Sequence, residues 1–483
     1  MESFVNQLAA RPQRSIILLS LLLLLGGNWA LPLTDRDEAR FGEASREMLQ
    51  RGDYVVPWFN GAWRFDKPVL IYWCQAASYK IFGVDAFAAR LPTVLFTTAT
   101  ALLLVRWGRK IADARTGFVA GAMYVTALHV ALLGRMATAD MAMIFFFTLA
   151  AWGGWELTRP VNGARRKWWL AFYGVLAFGF LAKGPVAWLP LGGMALGRAL
   201  EKGSFRLPLA ETTLGVALAV GLVALWGGPA LAQTGGKFWT VGMGEHVLNR
   251  SVGAINGHGS NDALKNLALM PLYFLTFFAS YFPWSMAVPR AFLKWWPERQ
   301  RDELGRYLLL QAAVVFVVFS LVKTKLPHYT LPAFPLVSLW LARRVGAEID
   351  FPPWFGKRLA AMTVFVLVLT LVGFPALKSQ LLTENLWRAA QPHVRPGTKV
   401  GCFGYTEPSL VWRFRSVVTN KVTLGGVEAA KDFLTNAPPF IIVLPTDSLS
   451  KMPDTNGLRL SVHGLNLVNF KDLKLTAIVR DAD

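Results

Sequence analysis

The sequence predicts an all-α polytopic membrane protein that ends in a small α/β domain. The chain has 483 residues, of which 54% are hydrophobic and only 17% are charged, whereas ordinary soluble domains carry about 25% charged residues. The apolar residues stand in long blocks, such as 16–25 and 361–376, and the last hundred residues alternate between strand-like and helix-like segments. This pattern excludes a soluble cytosolic enzyme, a disordered chain and a secreted disulfide scaffold.

The apolar blocks predict about eleven transmembrane helices, because crossing the hydrocarbon core takes roughly 20 apolar residues. They are 15–33, 89–105, 116–133, 140–157, 168–182, 184–197, 210–232, 267–288, 307–322, 329–342 and 359–377. The first block follows Arg11 and Arg14 as the apolar part of a signal peptide would, but no clear small-x-small cleavage site comes after it. We therefore expect this block to remain as the first helix.

The positions of Lys and Arg predict the orientation of the chain, whose formal net charge is +20. With the N-terminus inside, every inside loop is basic, and the short outside loops carry one basic residue each, Arg135 and Lys183. Because cytoplasmic loops are enriched in Lys and Arg, the charge reflects topology, and we expect no nucleic-acid partner. We expect a multi-pass inner (plasma) membrane protein with a cytoplasmic N-terminus and, after an odd number of spans, a periplasmic C-terminus.

Two regions follow from this topology. Residues 1–377 form the transmembrane domain, with a long first periplasmic loop at 34–88. Residues 378–483 form a periplasmic α/β domain, in which we expect strands at Lys399–Tyr405 and Phe440–Leu444 and helices at Pro408–Phe414 and Gly426–Asn436.

Charged residues at the predicted outer face are candidates for chemistry, because polar groups at a membrane boundary need a reason. Asp35, Asp37 and Glu38 directly follow the first span, and Asp140 opens a later span on the same predicted face. One interpretation is helix capping by Asp35 or Asp37, and by Thr138 or Asp140. The other is a pair of carboxylates facing a cavity, where they act as a general base or hold a cation.

Cations are expected on the same face. Lys67 precedes an apolar, aromatic stretch and is either a lysine that snorkels to the surface or a phosphate ligand. The other basic or polar groups there are Lys183, Glu245, His246, Arg250, His258, Lys323, Lys325, His328 and Tyr329. Each is a weak signal alone, but together they indicate a site for an anionic headgroup such as a lipid phosphate.

Several motifs, in order, resemble those of the GT-C superfamily of polyprenyl-phosphate-dependent glycosyltransferases. The first-loop motifs are Asp37-Glu38-Ala39-Arg40-Phe41, Gly52-Asp53-Tyr54-Val55-Val56-Pro57 and Asp66-Lys67-Pro68 with Tyr72-Trp73. Later ones are Ala137-Thr138-Ala139-Asp140, Ala182-Lys183-Gly184-Pro185, Glu245-His246, Tyr281-Phe282-Pro283-Trp284, Lys323-Thr324-Lys325-Leu326-Pro327 and Gly404-Tyr405-Thr406-Glu407-Pro408-Ser409-Leu410. The chain is most similar to the aminoarabinose transferase and protein mannosyltransferase-like branch.

The resemblance implies an integral membrane enzyme that inverts the anomeric carbon of the transferred sugar. It implies catalytic roles for Asp37 and Asp140, and we add Glu38 as a catalytic candidate because it directly follows Asp37 in the same charged segment. It implies that Lys67 and Arg250 lie at the donor phosphate, and from their charge or place on the same face we add Lys325 and Tyr329 to this predicted site. It also implies a divalent metal held by Asp66 and His246, although Asp66 stands where that branch usually has Glu.

The function that we expect is transfer of a sugar from a polyprenyl (undecaprenyl) phosphate donor to a lipid A-like or other envelope acceptor, among membrane lipids. Two alternatives stay open: a protein O-mannosyltransferase, which needs a peptide groove, and a transporter or flippase for a lipid-linked sugar. A transporter would place polar residues at mid-membrane, often in matched repeats. Here the charges lie at one face and no repeat is visible, so the sequence favours the enzyme.

Overall fold

The structure is a computed structural model whose residues group into two units. It describes residues 2–159, 163–202, 208–249, 265, 269, 271–346, 351–395, 397–418, 421–436, 438–453 and 457–480. The first unit comprises residues 1–26, 65–71 and 93–366, and the second comprises residues 27–64, 72–92 and 367–483.

All the regular secondary structure described in the first unit is helical. Its α-helices are Glu2–Ala10, Pro12–Leu25, Ala86–Ile111 (from Thr93 onward), Ala114–Thr126, Leu128–Leu133, Asp140–Thr158, Arg165–Lys183, Leu189–Lys202, Leu209–Gln233, Leu272–Ser280, Val288–Trp295, Glu303–Leu321, Phe334–Gly346 and Pro353–Val368. Short 3₁₀ turns occur at Pro185–Trp188, Trp284–Ala287, Trp296–Glu298 and Pro327–Ala333, and Phe238–Asn249 is π-helical.

Local sequence explains where these helices begin and end. The Asp113 carboxylate caps helix Ala114–Thr126 by accepting a hydrogen bond from the backbone N–H of Thr116. Asp302 caps helix Glu303–Leu321 in the same way, through the backbone N–H of Gly305. The apolar segment 168–197 is divided because Gly184 has a φ of +81° and Pro185 follows it. The two halves become separate helices, Arg165–Lys183 and Leu189–Lys202.

Five helices are long and apolar enough to cross a membrane, among the described residues, or six if a pair bent by 106° near the N-terminus forms one span. They are Ala86–Ile111, Asp140–Thr158, Leu209–Gln233, Glu303–Leu321 and Pro353–Lys378. In two of them only 22% of the most apolar window is buried inside the protein. Apolar side chains on an outer surface are what a helix in lipid requires, and the count of eleven spans stays a prediction.

The second unit contains a five-stranded mixed sheet. Its spatial order is Thr423–Gly425, Lys399–Phe403, Phe440–Pro445, Lys471–Arg480, Leu458–Asn466. The first three strands are parallel, and the last two are antiparallel to their neighbours. The helices of this unit are Asp37–Arg51, Leu70–Phe82 (from Tyr72 onward), Phe374–Lys378, Leu382–Ala390, Pro408–Phe414 and Ala429–Phe433, and a small hairpin joins Trp58–Phe59 to Ala62–Trp63.

The predicted fold class is confirmed in its coarse form, a mostly helical protein with a small C-terminal sheet domain. The helix predicted at Pro408–Phe414 has those bounds, and both predicted strands exist within one or two residues. The helix predicted at Gly426–Asn436 is shorter, Ala429–Phe433. The strands Thr423–Gly425, Leu458–Asn466 and Lys471–Arg480 were not predicted.

Candidate active site

In the charged segment 35–38, the residues on both sides of Asp37 are held by hydrogen bonds and ion pairs. Asp35 accepts hydrogen bonds from the backbone N–H and the hydroxyl of Ser409, at 2.7 and 2.5 Å. Burial raises the pKa of Asp35 to about 6, although these hydrogen bonds act in the opposite direction. Arg36 pairs with Glu407 at 3.2 Å. All of these residues belong to the second unit.

Glu38 is buried, and both of its carboxylate oxygens accept hydrogen bonds. Its two carboxylate oxygens accept hydrogen bonds from Nε and Nη2 of Arg90, both at 2.8 Å. Oε2 also accepts hydrogen bonds from the backbone N–H and hydroxyl of Thr34, at 3.0 and 2.8 Å. Sequence reasoning did not single out Arg90, because an arginine near the end of an apolar helix is usually a snorkelling residue. The contacts of Glu38 are those of a residue that positions the chain.

Asp37 differs from the other two carboxylates of this segment, Asp35 and Glu38, because its side chain is exposed. It is the first residue of helix Asp37–Arg51, and the residue at the N-cap is Arg36, which makes no side-chain capping bond. Within the described part of the chain, Asp37 makes no ion pair or side-chain hydrogen bond. Asp37 therefore has no capping role. Asp35 caps a helix instead, because it accepts a hydrogen bond from the first turn of Pro408–Phe414, and Glu38 accepts one from the backbone N–H of Thr34.

A second cluster surrounds Asp140 in the first unit. The Lys183 ammonium contacts Oδ1 of Asp140, and Nε2 of His328 lies 4.0 Å from the same oxygen. The positive charge of Lys67 also acts on this carboxylate. Exposure is small: 13% for the Asp140 side chain, 14% for Lys183 and 24% for His328. Among the described residues, helix Asp140–Thr158 has no side-chain capping hydrogen bond, so the capping interpretation does not apply to Asp140.

Aromatic and imidazole side chains border this cluster. The Tyr329 ring lies 5.9 Å from the Lys183 ammonium and packs against the His328 ring at 5.1 Å. His129, which sequence reasoning missed, lies close enough for the charges of His328 and Asp140 to act on it, and its Nδ1 lies 2.9 Å from the Ser280 hydroxyl. A histidine inside an apolar block was the only sequence signal for it. The structure thus groups Asp140, Lys67 and Tyr329 with residues from three further segments.

Lys325 has a different environment from the one foreseen. Its ammonium donates hydrogen bonds to the carbonyl oxygens of Phe319, Ser320 and Val322, at 3.2, 2.5 and 2.6 Å. These carbonyls end helix Glu303–Leu321, whose last turn would otherwise lack donors. Because a lysine has three donors, the contacts favour a helix-capping role over a phosphate contact.

The remaining predicted residues concern a metal and the donor phosphate. Asp66 is half-buried, whereas the side chain of His246 and the whole of Arg250 lie outside the described residues. In the part of the chain that the structure describes, no three His, Cys, Asp or Glu side chains are close enough to hold a metal ion. The metal at Asp66 and His246 therefore stays a prediction.

Comparison with known proteins gives three kinds of match. A family model described as dolichyl-phosphate-mannose-protein mannosyltransferase matches residues 66–226. The undecaprenyl phosphate-alpha-4-amino-4-deoxy-L-arabinose arabinosyl transferase of Serratia proteamaculans (strain 568) is 31% identical over 341 residues, which are 66% of this chain and 59% of that protein. The protein of the same description from Enterobacter sp. (strain 638) is 28% identical over 76% of this chain and 67% of its own length.

Two solved structures share the fold. They are ArnT from Cupriavidus metallidurans bound to undecaprenyl phosphate, with a TM-score of 0.72, and the same protein in the apo state, with 0.75. Each is 17% identical, and each match covers 96% of this chain and 97% of the other. The chain spans less than two thirds of the Serratia relative. The resemblance to the GT-C superfamily and its aminoarabinose transferases is confirmed.

Proposed function

Because the chain has the GT-C fold and resembles the aminoarabinose transferases, we propose that it is an inverting glycosyltransferase. Its donor is a sugar on a polyprenyl phosphate such as undecaprenyl phosphate, and its acceptor is lipid A-like or another envelope molecule. We place it in the inner membrane with eleven spans, a cytoplasmic N-terminus and a periplasmic C-terminal domain. The observation that carries the proposal is the group of cations around Asp140.

The Asp140 cluster suits a phosphate. Two lysines and a histidine lie around one carboxylate, so basic side chains are concentrated at one place in the first unit. Negative charge grows on the phosphate as its bond to the sugar breaks, and fixed cations stabilise that charge. We assign this task to Lys67 and Lys183, together with Arg250. Asp140 is then a positioning residue that holds the Lys183 ammonium in place.

Asp37 is the base in this proposal. The acceptor oxygen forms a bond to the anomeric carbon while the bond from that carbon to the phosphate oxygen breaks. The electron pair leaves with the phosphate, and the acceptor hydroxyl gives its proton to the Asp37 carboxylate. If the acceptor is itself a phosphate, no proton needs to be removed, and Asp37 orients it instead. Exposure of Asp37 and the absence of a described partner leave its carboxylate available.

The other predicted residues take supporting roles. Glu38, through Arg90 and Thr34, positions the segment that carries Asp37. Tyr329 borders the phosphate site through its ring, close to Lys183. Asp66 and His246 are the residues that would hold a divalent metal in this proposal.

A protein acceptor is the second candidate, because the family model that matches residues 66–226 is described as a protein mannosyltransferase. The assay that separates the candidates uses the purified chain in detergent with a radiolabelled polyprenyl-phosphate sugar. Label recovered on an envelope lipid supports the first candidate, and label on a peptide supports the second. Movement of intact donor across liposomes, with no covalent product, would mean a flippase.

The role of the cluster is tested by Lys183→Met. Loss of a charged hydrogen-bond contact costs roughly 1.5–3 kcal/mol, so transfer should fall by about 10- to 150-fold. The matched control is Lys110→Met, because Lys110 pairs with Glu156 at 2.5 Å in the same unit and lies on a predicted cytoplasmic loop. The control should retain transfer. If both variants lose transfer activity equally, Lys183 is not a phosphate ligand.

A further inference from the structure

A basic cleft lies in the first unit, apart from the Asp140 cluster. It has a volume of about 1140 Å³, and its walls come from three segments that the charge pattern predicts to be cytoplasmic. We define the basic cleft by its six cationic side chains, Arg290, Lys294, Arg301, Arg343, Arg344 and Arg358. Two carboxylates, Glu298 and Asp302, also line it. The described lining therefore has an excess of four positive charges.

Part of this charge is held in a fixed arrangement. Asp302 accepts hydrogen bonds from Arg343 at 2.9 and 3.1 Å and from Arg344 at 3.2 Å. Trp295 donates to the same carboxylate at 3.0 Å, and Glu298 pairs with Arg344 at 3.3 Å. Both arginine side chains are only about a quarter exposed, at 26% and 25%. One partly buried carboxylate thus orients two guanidinium groups at the wall of the cleft.

The other four cations have no such partner among the residues that the structure describes. Arg290, Lys294, Arg301 and Arg358 make no ion pair with any residue that the structure describes. Arg358 instead packs on the Trp354 ring at 4.8 Å. Positive charges that outnumber the carboxylates of the described lining favour an anionic ligand in this concave site.

The depth of the cleft in the membrane follows from the helix beside it. Helix Val288–Trp295 places Arg290 and Lys294 one turn apart on the cleft side. Phe292 and Leu293 on its other side, and Trp296 just after it, are 38%, 73% and 49% exposed. A short helix with cations on one side and exposed apolar rings on the other lies at the level of the lipid headgroups.

We propose that the basic cleft binds the headgroup of an anionic phospholipid, best one with two phosphates such as cardiolipin. The cations contact the phosphates. The apolar part of the wall, including Met286 and Leu341, contacts the glycerol and the first acyl carbons. Basic pockets between transmembrane helices on the cytoplasmic side are suited to such lipids. This site is independent of the glycosyl transfer proposed above.

The test is native mass spectrometry of the purified full-length chain, titrated separately with cardiolipin, phosphatidylglycerol, phosphatidylethanolamine and inorganic pyrophosphate. Cardiolipin should bind at least tenfold more tightly than phosphatidylethanolamine. Arg290→Gln with Arg301→Gln should weaken cardiolipin binding by about 30-fold, since each cation near the headgroups contributes about fivefold. Both side chains are exposed, and an unchanged melting temperature will verify the fold.

The matched control removes two charges from another predicted cytoplasmic loop. Arg166 and Lys167 are exposed and lie outside the cleft, so Arg166→Gln with Lys167→Gln should change cardiolipin binding less than twofold. If the control loses as much cardiolipin affinity, the effect comes from general surface charge, and the proposed site is wrong. Binding of pyrophosphate as tight as that of cardiolipin would overturn the lipid assignment, and so would a lack of preference over phosphatidylethanolamine.

Discussion

Replacing Arg90 by methionine should destabilise the second unit, because Arg90 fastens the segment that carries Asp37. The Arg90 residue is 5% exposed. Two of its donors bind the Glu38 carboxylate at 2.8 Å, and the others bind backbone carbonyl oxygens between residues 28 and 32 at 2.7–2.9 Å. Glu38 is itself only 1% exposed. Removal of Arg90 leaves a buried, uncompensated carboxylate.

The size of the loss follows from these contacts. Breaking a buried ion pair by removing one partner costs about 3–5 kcal/mol. The backbone carbonyls that lose their donors add to this cost, although the contributions are not additive. With about 2–4 °C per kcal/mol for units of 150–250 residues, the melting temperature should fall by roughly 6–20 °C.

The assay is thermal unfolding of wild type and variant in the same detergent. Lys431→Met is the matched control, because Lys431 pairs with Glu428 at 3.0 Å on the surface of the same unit. Exposed pairs contribute about 0–1 kcal/mol, so this control should melt close to wild type. If Arg90→Met melts like the control, the buried pair does not hold the segment.

Glu38→Gln separates positioning from catalysis. It should destabilise the protein as Arg90→Met does, and transfer should fall in proportion to the loss of folded protein. A large loss of transfer at an unchanged melting temperature would instead make Glu38 a catalytic residue.

Two further predictions concern Asp35 and Lys325. The pKa of Asp35 rises from 3.8 to about 6 on folding, so stability should fall as pH rises from 4 to 6, by at most about 3 kcal/mol. In melting curves measured at several pH values, Asp35→Asn should reduce this fall in stability. Part of the fall should remain, because burial also raises the pKa of Glu43 to about 6. A pH dependence of stability equal to that of wild type would contradict the assignment to Asp35. Lys325→Met should lower stability by about 1–3 kcal/mol, because three carbonyls lose their donor, while the donor KM stays unchanged. A raised donor KM at an unchanged melting temperature would restore Lys325 as a phosphate ligand.

The sequence predicted those parts of the fold that depend on local pattern. Long apolar blocks predict helices, and the run around Phe440 predicts a buried strand, as found. Strand Leu458–Asn466 was missed although Leu458, Leu460 and Val462 alternate with polar residues, a period of two that indicates a half-buried strand. Thr423–Gly425 has three residues, too few for any periodicity to appear.

The candidate site was predictable as a set of residue types but not as a set of partners. Asp140 and Lys67 were expected on one face, and the structure adds the contact of Asp140 with Lys183. The pairing of Glu38 with Arg90 joins positions 52 residues apart and depends on tertiary packing. Lys325 shows the same limit, since a lysine near a helix end has the same sequence signature whether it caps carbonyls or binds phosphate.

Transfer by Asp37→Asn protein tests the central claim most directly. The purified chain is given labelled undecaprenyl-phosphate sugar and an envelope extract, and label joined covalently to an acceptor is measured. Wild type should transfer label. With a hydroxyl acceptor, the rate of transfer by Asp37→Asn should be about 10²–10⁴-fold lower. Asp447→Asn, which alters another exposed carboxylate of the same unit, should retain it. Near-normal transfer by folded Asp37→Asn protein, or no covalent product from wild type with any acceptor, would contradict the account.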